Sequence, residues 1–480
     1  MRQAVSSQQI GLEGRCGIRS FSIERFGKRC GIVSGTTVMN GDTRAVRVQA
    51  CHNSGAYPTS SAGDENNLVG ESLFWHRIIH KDFIAYMQHE QTSTLPPVDD
   101  LSARHSILAA AAIRSKIEGS GGQISFAEFM HEALYAPGLG YYSAGSAKFG
   151  ASGDFVTAPE VSPVFGRVLA RQVAEVLGAM GGGQILEFGA GSGKLAVDIL
   201  KALSELDALP SQYCILEVSP DLLERQQQRL QQELPLLADR VCWLSDLPND
   251  FEGVMIANEV LDALPVERFV RRGEGVFQLC VATRDDSFVW AERPAPGVLR
   301  KAVDTIEADL GQPLADAYTS EVSLASPGWI IDLAAVLKRG AAFLFDYGVS
   351  RREYFAVDRS DGWLRCHFRH HAHSNPLILP GIQDITSWVD FSALAGAAVD
   401  SGLGLLGYQT QAQFLMGGGL QLEMQGFADL TMKEQIELSG QIKRLTLPGE
   451  MGEHFKCIAF GRGDIDTPSA FHFADRTQTL

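Results

Sequence analysis

Residues 185–193 read Ile-Leu-Glu-Phe-Gly-Ala-Gly-Ser-Gly. A short apolar run ends in an acid, Glu187, and three alternate glycines follow at once: Gly189, Gly191 and Gly193. The pattern predicts a strand feeding a tight turn beneath a bound ligand. Glycine accepts left-handed backbone and lacks the Cβ that would hold a ligand off the chain.

Three ligand classes compete for such a turn. A phosphate-binding loop would need glycine at 188 and Ser or Thr at 195, where Phe188 and Leu195 stand. The dinucleotide fingerprint would place its third glycine at Lys194. The GxGxG turn of S-adenosylmethionine-dependent methyltransferases carries an acid two residues before its first glycine, and Glu187, Gly189, Gly191 and Gly193 all fit. An acid suits a cationic cofactor and would repel a pyrophosphate. An ordinary glycine-rich strand-to-helix turn stays open from this stretch alone.

The neighbouring segments repeat the design. YCILE at 213–217, VCWLSD at 241–246 and GVMIAN at 253–258, followed by Glu259, are apolar runs that end in acids. Open α/β sheets bind ligands at the carboxyl ends of their strands. Glu217 is therefore expected to meet ribose hydroxyls, Asp246 the adenine amino group, and Asn258 the cofactor edge. Helical patterns such as 195–203 and 221–230 follow the runs, predicting a parallel doubly wound sheet. Strands at 341–347, 405–409 and 456–461 bring the count to seven. The fold class is α/β, a Rossmann-like seven-stranded sheet with a helical N-terminal region and an inserted β/α subdomain.

Composition narrows the function classes. The chain has 480 residues and a formal charge of −16, which argues against nucleic acid and suits a basic protein or peptide partner. No apolar run reaches the roughly 18 residues that span a bilayer, so no membrane partner is expected. Eight scattered cysteines contain no CxxC pair, which fits a reducing compartment. Residues 1–95 are rich in Ser, Gly, Arg and Gln and read as a disordered or mis-annotated extension, with a faint transit-peptide character at the start. Residues 96–183 read as a helical region with a cofactor-covering loop, including a capping box at Ser125 and Glu128. The core falls at 184–266 and 327–465, an inserted lid or substrate subdomain at 267–326, and a tail at 466–480. Within the insertion, 298–324 reads as helical and polar.

Several separated segments carry a family resemblance: YAPGLGYYS at 135–143, GDFVTAPEVSPVFG at 153–166, LEFGAGSGKLA at 186–196, NEVLDALPV at 258–266, FDYG at 345–348 and LRCHFRHHAH at 364–373. With DITSWVDFSAL at 384–394 and TQAQFL at 410–415, they make the chain resemble the MidA-type methyltransferases over about residues 102–462. That family includes mitochondrial complex I assembly arginine methyltransferases. The resemblance implies a class I methyltransferase fold, S-adenosyl-L-methionine as cofactor and, in the mitochondrial members, methylation of an arginine on a respiratory complex I subunit. It places Asp154, Thr157 and Glu160 in the loop beside the cofactor, and Asn258, Glu259 and Asp262 in the motif after the fourth strand.

An arginine nucleophile arrives as a guanidinium with a pKa of about 12.5–13.8 and is poor in that form. Carboxylates orient its planar fork bidentately. Glu259 and Asp262, three residues apart, are expected to share a helical face and to bracket the substrate nitrogen as the catalytic pair; the competing reading has Asp262 cap the following helix. His367, His370, His371 and His373 match no familiar zinc spacing, and no metal is expected. The expected function is protein arginine N-methylation in the bacterial cytoplasm rather than in mitochondria. The alternatives are a non-catalytic cofactor-binding scaffold and a small-molecule methyltransferase.

Overall fold

The computed structural model describes residues 95–144 and 156–480, so the readings of residues 1–94 and of Asp154 lie outside the described residues. The central sheet holds β2 (Gln184–Phe188), β3 (Tyr213–Leu216), β4 (Val241–Leu244), β5 (Phe251–Asn258), β10 (Leu337–Val349), β15 (Gly404–Thr410) and β16 (Phe455–Arg462). Their order is β15-β16-β10-β5-β2-β3-β4. β16 runs antiparallel to both neighbours, while the pairs from β10 through β5, β2 and β3 to β4 are parallel. The short β14 (Val389–Asp390) adds to the end of β10. The chain winds outward from β2 in one direction and from β5 in the other. The switch point between them is where a doubly wound sheet opens its ligand crevice.

The strands read as continuous apolar runs because both faces are covered. Side chains alternate between faces. Ile185, Val254, Ile256, Phe343 and Phe345 join one core, with the helices Pro163–Met180 and Lys194–Glu205. Leu186, Phe188, Met255, Ala257 and Leu344 join the other, with the helices Ala325–Val336 and Phe391–Asp400. Residues 245–250, between β4 and β5, contain no helix, so strand–helix alternation lapses there.

A second sheet joins β1 (Gln123–Ser125) to β6 (Glu267–Arg272), β7 (Gly275–Arg284), β8 (Ser287–Pro294) and β9 (Thr319–Val322). β7 pairs with β8 along one edge, and with β6 and then β1 along the other. The helical reading of 298–324 holds only for Gly297–Leu310. Gly311 then turns left-handed at φ 71°, and Thr319–Val322 pairs with β6 as a strand. Ser125 caps the helix Phe126–Tyr135 in the expected capping box with Glu128. A third sheet holds β11 (Leu364–Phe368), β12 (His371–His373) and β13 (Asp384–Ser387).

Candidate active site

Two turns meet at the carboxyl edge of β2 and β5. The first follows β2. Gly189, Gly191 and Gly193 adopt φ of 60°, 52° and 79°, the left-handed region that glycine occupies without strain. A Cβ on Gly191 would meet no atom within 4 Å, so the turn borders open space. Gly193 is the N-cap of the helix Lys194–Glu205.

The acids expected around this turn take different places. Glu187 does not face the crevice freely: it is buried within β2 and accepts a 2.7 Å hydrogen bond from the Tyr213 hydroxyl. Burial pushes its carboxyl up to about 7, against that hydrogen bond, and Glu217 adds to the rise. Glu217, just past β3, accepts from the Ser219 backbone N–H and from Gln226 Nε2, each at 2.9 Å. Gln226 also donates to the Gly191 carbonyl and accepts from Trp243 Nε1, both at 2.9 Å. One amide therefore fixes Glu217, the glycine turn and the indole together. Asp246 lies two residues past β4, with a buried Oδ1 that has no hydrogen-bond partner among the described residues. Thr157 is the N-cap of the short helix Ala158–Val161, and Glu160 in that helix accepts from the Ser192 hydroxyl. Arg229 closes the group, donating to Ser192 Oγ at 2.8 Å and lying 3.6 Å from Glu160.

The second turn follows β5. Asn258 Nδ2 donates to Glu259 Oε1 at 3.2 Å, and the buried Asn258 Oδ1 has no partner among the described residues. Glu259 adopts φ 54°, a conformation disfavoured for a residue with a Cβ. Its N–H donates to the Phe345 carbonyl at 2.9 Å. Residues 260–264 form no helix, so Glu259 and Asp262 do not share a helical face and Asp262 caps none. The turn is held instead by Asp346, at the carboxyl end of β10. Its Oδ2 accepts from the backbone N–H groups of Leu261 (2.9 Å) and Asp262 (3.2 Å), and its Oδ1 from Tyr347 N (2.9 Å). That carboxylate satisfies the N–H groups of an irregular turn, which therefore stands without a helix.

The turn still brings Glu259 and Asp262 together. Burial, then the charge of Asp262, pushes the Glu259 carboxyl up to about 8, while Asn258 and the backbone N–H of Ala158 oppose the rise. Burial pushes Asp262 up to about 6 against a hydrogen bond from Tyr347. Asp346, buried beside both, is pushed up by burial, then by Asp262 and Glu259. Asp384 on β13 completes the group, accepting from the Tyr142 hydroxyl at 2.9 Å. Tyr142 stacks on Tyr135 with centroids 5.5 Å apart, and Tyr135 donates to the Ala263 carbonyl at 3.0 Å. Asp346, Tyr347, Asp384, Tyr142 and Gln226 were not among the residues expected from sequence. For the first four the segments FDYG, DITSW and YAPGLGYYS were the only signal, and Gln226, within the helix Pro220–Glu233, had none.

The histidine run forms a hairpin whose first strand, β11, pairs with β13, so that His367 stands opposite Asp384. Arg369 and His370 form its turn at φ 50° and 64°, and Cys366 rather than another histidine pairs with His373. Among the described residues no three His, Cys, Asp or Glu side chains are grouped as metal ligands, and no helix is long and apolar enough to cross a membrane.

Comparison with known proteins agrees with this geometry. Residues 168–409 match the family described as putative S-adenosyl-L-methionine-dependent methyltransferases. The chain belongs to this family. It is an S-adenosyl-L-methionine-dependent methyltransferase, and membership sets aside the non-catalytic scaffold. The chain is 33% identical to the mitochondrial protein arginine methyltransferase NDUFAF7 homolog of Drosophila melanogaster, over 74% of this chain and 85% of the relative. It is 31% identical to protein arginine methyltransferase NDUFAF7, mitochondrial, of Danio rerio, over 74% and 86%. A crystal structure of a likely methyl transferase from Burkholderia thailandensis bound to S-adenosyl-homocysteine is 40% identical, with a TM-score of 0.75, covering 81% of this chain and all of that one. The expectation of the bacterial cytoplasm ahead of mitochondria is corrected by these curated relatives, which are named as mitochondrial proteins.

Proposed function

We propose that this methyltransferase acts on an arginine of a protein substrate. The observation that carries the reading is the turn after β5. Glu259, Asp262 and Asp346 crowd together there, and no Lys or Arg neutralises them among the described residues. Asp262 is 2% exposed, yet its Oδ1 has no hydrogen-bond partner there. Buried carboxylates without a cation are costly, and a planar guanidinium supplies both the charge and paired donors. The names of the relatives quoted above support the same substrate class.

The residues around the glycine turn fit the cofactor. The open space over Gly191 and the unpartnered Asp246 Oδ1 and Asn258 Oδ1 are what a nucleoside with a cationic tail would use. In this reading Gly189, Gly191 and Gly193 shape the cradle, Glu217 holds the ribose and Asp246 the adenine amino group. Glu187 holds the strand end in place through Tyr213. Thr157 and Glu160 close the near side, where Glu160 already clasps Ser192. When bound, S-adenosyl-L-methionine supplies an electrophilic methyl group. The chain's own task is alignment, for which effective molarities reach about 10⁵–10⁸ M. Glu259 and Asp262 grip the guanidinium, and ionised Glu259 accepts the proton released from the substrate nitrogen. Activity should then rise with pH as Glu259 ionises.

Mass spectrometry of methylarginine sites in the host proteome, with and without this protein, tests the reading. Sites that vanish on its loss support it. An unchanged methylarginine inventory, with a small molecule methylated instead, would replace it with the small-molecule alternative.

A further inference from the structure

A cavity of about 200 Å³ lies behind the acidic turn, between the second sheet with its helix Gly297–Leu310 and the helix Phe391–Asp400. Leu261, Ile306, Val322, Leu324, Phe355 and Trp388 give it an apolar lining. We infer that this cavity receives one apolar side chain of the protein substrate, from a residue near the target arginine in sequence. The inference rests on the arginine reading above.

Size restricts the occupant. Small-molecule sites usually span about 300–1,000 Å³, and a water takes about 30 Å³. A single aliphatic or aromatic side chain falls between these limits. The charged and polar groups at the walls already have partners. Glu321 accepts from Trp363 N at 2.8 Å and pairs with Arg268 Nε at 3.2 Å. Arg351 pairs with Asp390 at 2.9 Å and with Asp309. Tyr354 and Ser387 share a hydrogen bond of 3.1 Å, and the hydroxyls of Ser323 and Ser326 share one of 2.6 Å. What the walls still offer is apolar surface, worth about 25 cal/mol per Å² covered.

Position ties the cavity to the reacting residues. Leu261 lies two residues from Glu259, and its N–H is one of those held by Asp346. Ser387 N donates to the Asp262 carbonyl at 3.0 Å. Trp388 divides the two spaces: it lines the cavity and meets Tyr347 edge-on at 6.3 Å, and Tyr347 in turn donates to Asp262. Trp363 stacks on Trp388 at 4.2 Å and fixes the divider. A peptide that lays its arginine against Glu259 thus has a neighbouring side chain within reach of the cavity. Thr305, another lining residue, is exposed, so the lining reaches the surface there.

The test uses the full chain, labelled S-adenosyl-L-methionine and a lysate from host cells lacking this protein. The labelled methylarginine sites should be enriched in Leu, Ile, Met or Phe within three residues of the arginine. Ala302→Leu and Ala393→Leu fill the cavity from opposite walls and should each lower arginine labelling at least five-fold, with S-adenosylhomocysteine affinity by calorimetry within two-fold of wild type. Sites without apolar enrichment overturn the inference and need no variant. Wild-type labelling by a filled variant overturns it as well, and leaves the arginine reading standing. If wild type labels no arginine at all, both fall.

Discussion

The two turns at the sheet's carboxyl edge solve the same backbone problem in opposite ways. After β2, left-handed backbone falls on Gly189, Gly191 and Gly193, for which it costs little. After β5 it falls on Glu259, and the fold holds that residue by force: Asp346 clamps the next two N–H groups while the Phe345 carbonyl takes Glu259's own. A non-glycine residue kept in such a conformation costs on the order of 1–3 kcal/mol, and it persists where the surroundings over-determine it. The first turn makes room for a ligand. The second aims a side chain at one.

The largest expected effect breaks the first turn. Gly191→Val puts a β-branched side chain on left-handed backbone and into the open space above it. S-adenosylhomocysteine affinity by calorimetry should fall more than 100-fold. Next comes the clamp on the second turn. Asp346→Ala leaves the N–H groups of Leu261, Asp262 and Tyr347 unpaired, at roughly 1–3 kcal/mol for each one that stays buried. Methyl transfer should fall about 100-fold while cofactor affinity changes little, and the melting temperature should drop. Loss of both functions together would show that the turns do not act separately. Gln226→Ala releases Glu217, the Gly191 carbonyl and Trp243 at once, and should weaken cofactor binding about 10-fold, equivalent to ~1.4 kcal/mol.

The smallest effect concerns stability and pH. The Glu259 carboxyl, ordinarily near 4.5, is pushed up to about 8. A group whose pKa is raised on folding contributes stability below its unfolded pKa, and that contribution is lost as pH rises through the folded value. Stability should therefore decline between about pH 4.5 and 8. Glu259→Gln cannot ionise, so its decline should be shallower and its stability at pH 8 higher than that of wild type. An identical pH profile for the two proteins would mean that the charge of Glu259 is not confined.

The same contrast explains what the sequence revealed. The glycine turn is local: strand, acid and glycines lie within nine residues, and the alternating apolar faces of β2, β5 and β10 announce a sheet covered on both sides. The acidic turn is assembled across the chain. Tyr142 reaches Asp384 over 242 positions, and Asp346 reaches Leu261 over 85. Spacing alone placed Glu259 and Asp262 on a helix because nothing within their segment shows that the distant Asp346 holds it as an irregular turn. Asp346 was visible only as an acid at a strand end, and Tyr142 only as one tyrosine of a motif. β9 was missed because four residues, Thr319–Val322, continue a polar stretch that began as a helix, and their pairing with β6 is a distant contact.

The most direct measurement compares wild type with Glu259→Gln. Each is incubated with labelled S-adenosyl-L-methionine and lysate, and S-adenosylhomocysteine affinity is measured in parallel. General-base roles are worth about 10²–10⁴-fold. Arginine labelling should fall into that range with cofactor affinity unchanged. Equal labelling by the two proteins would contradict the assignment of the acidic turn as the place where the methyl group is received.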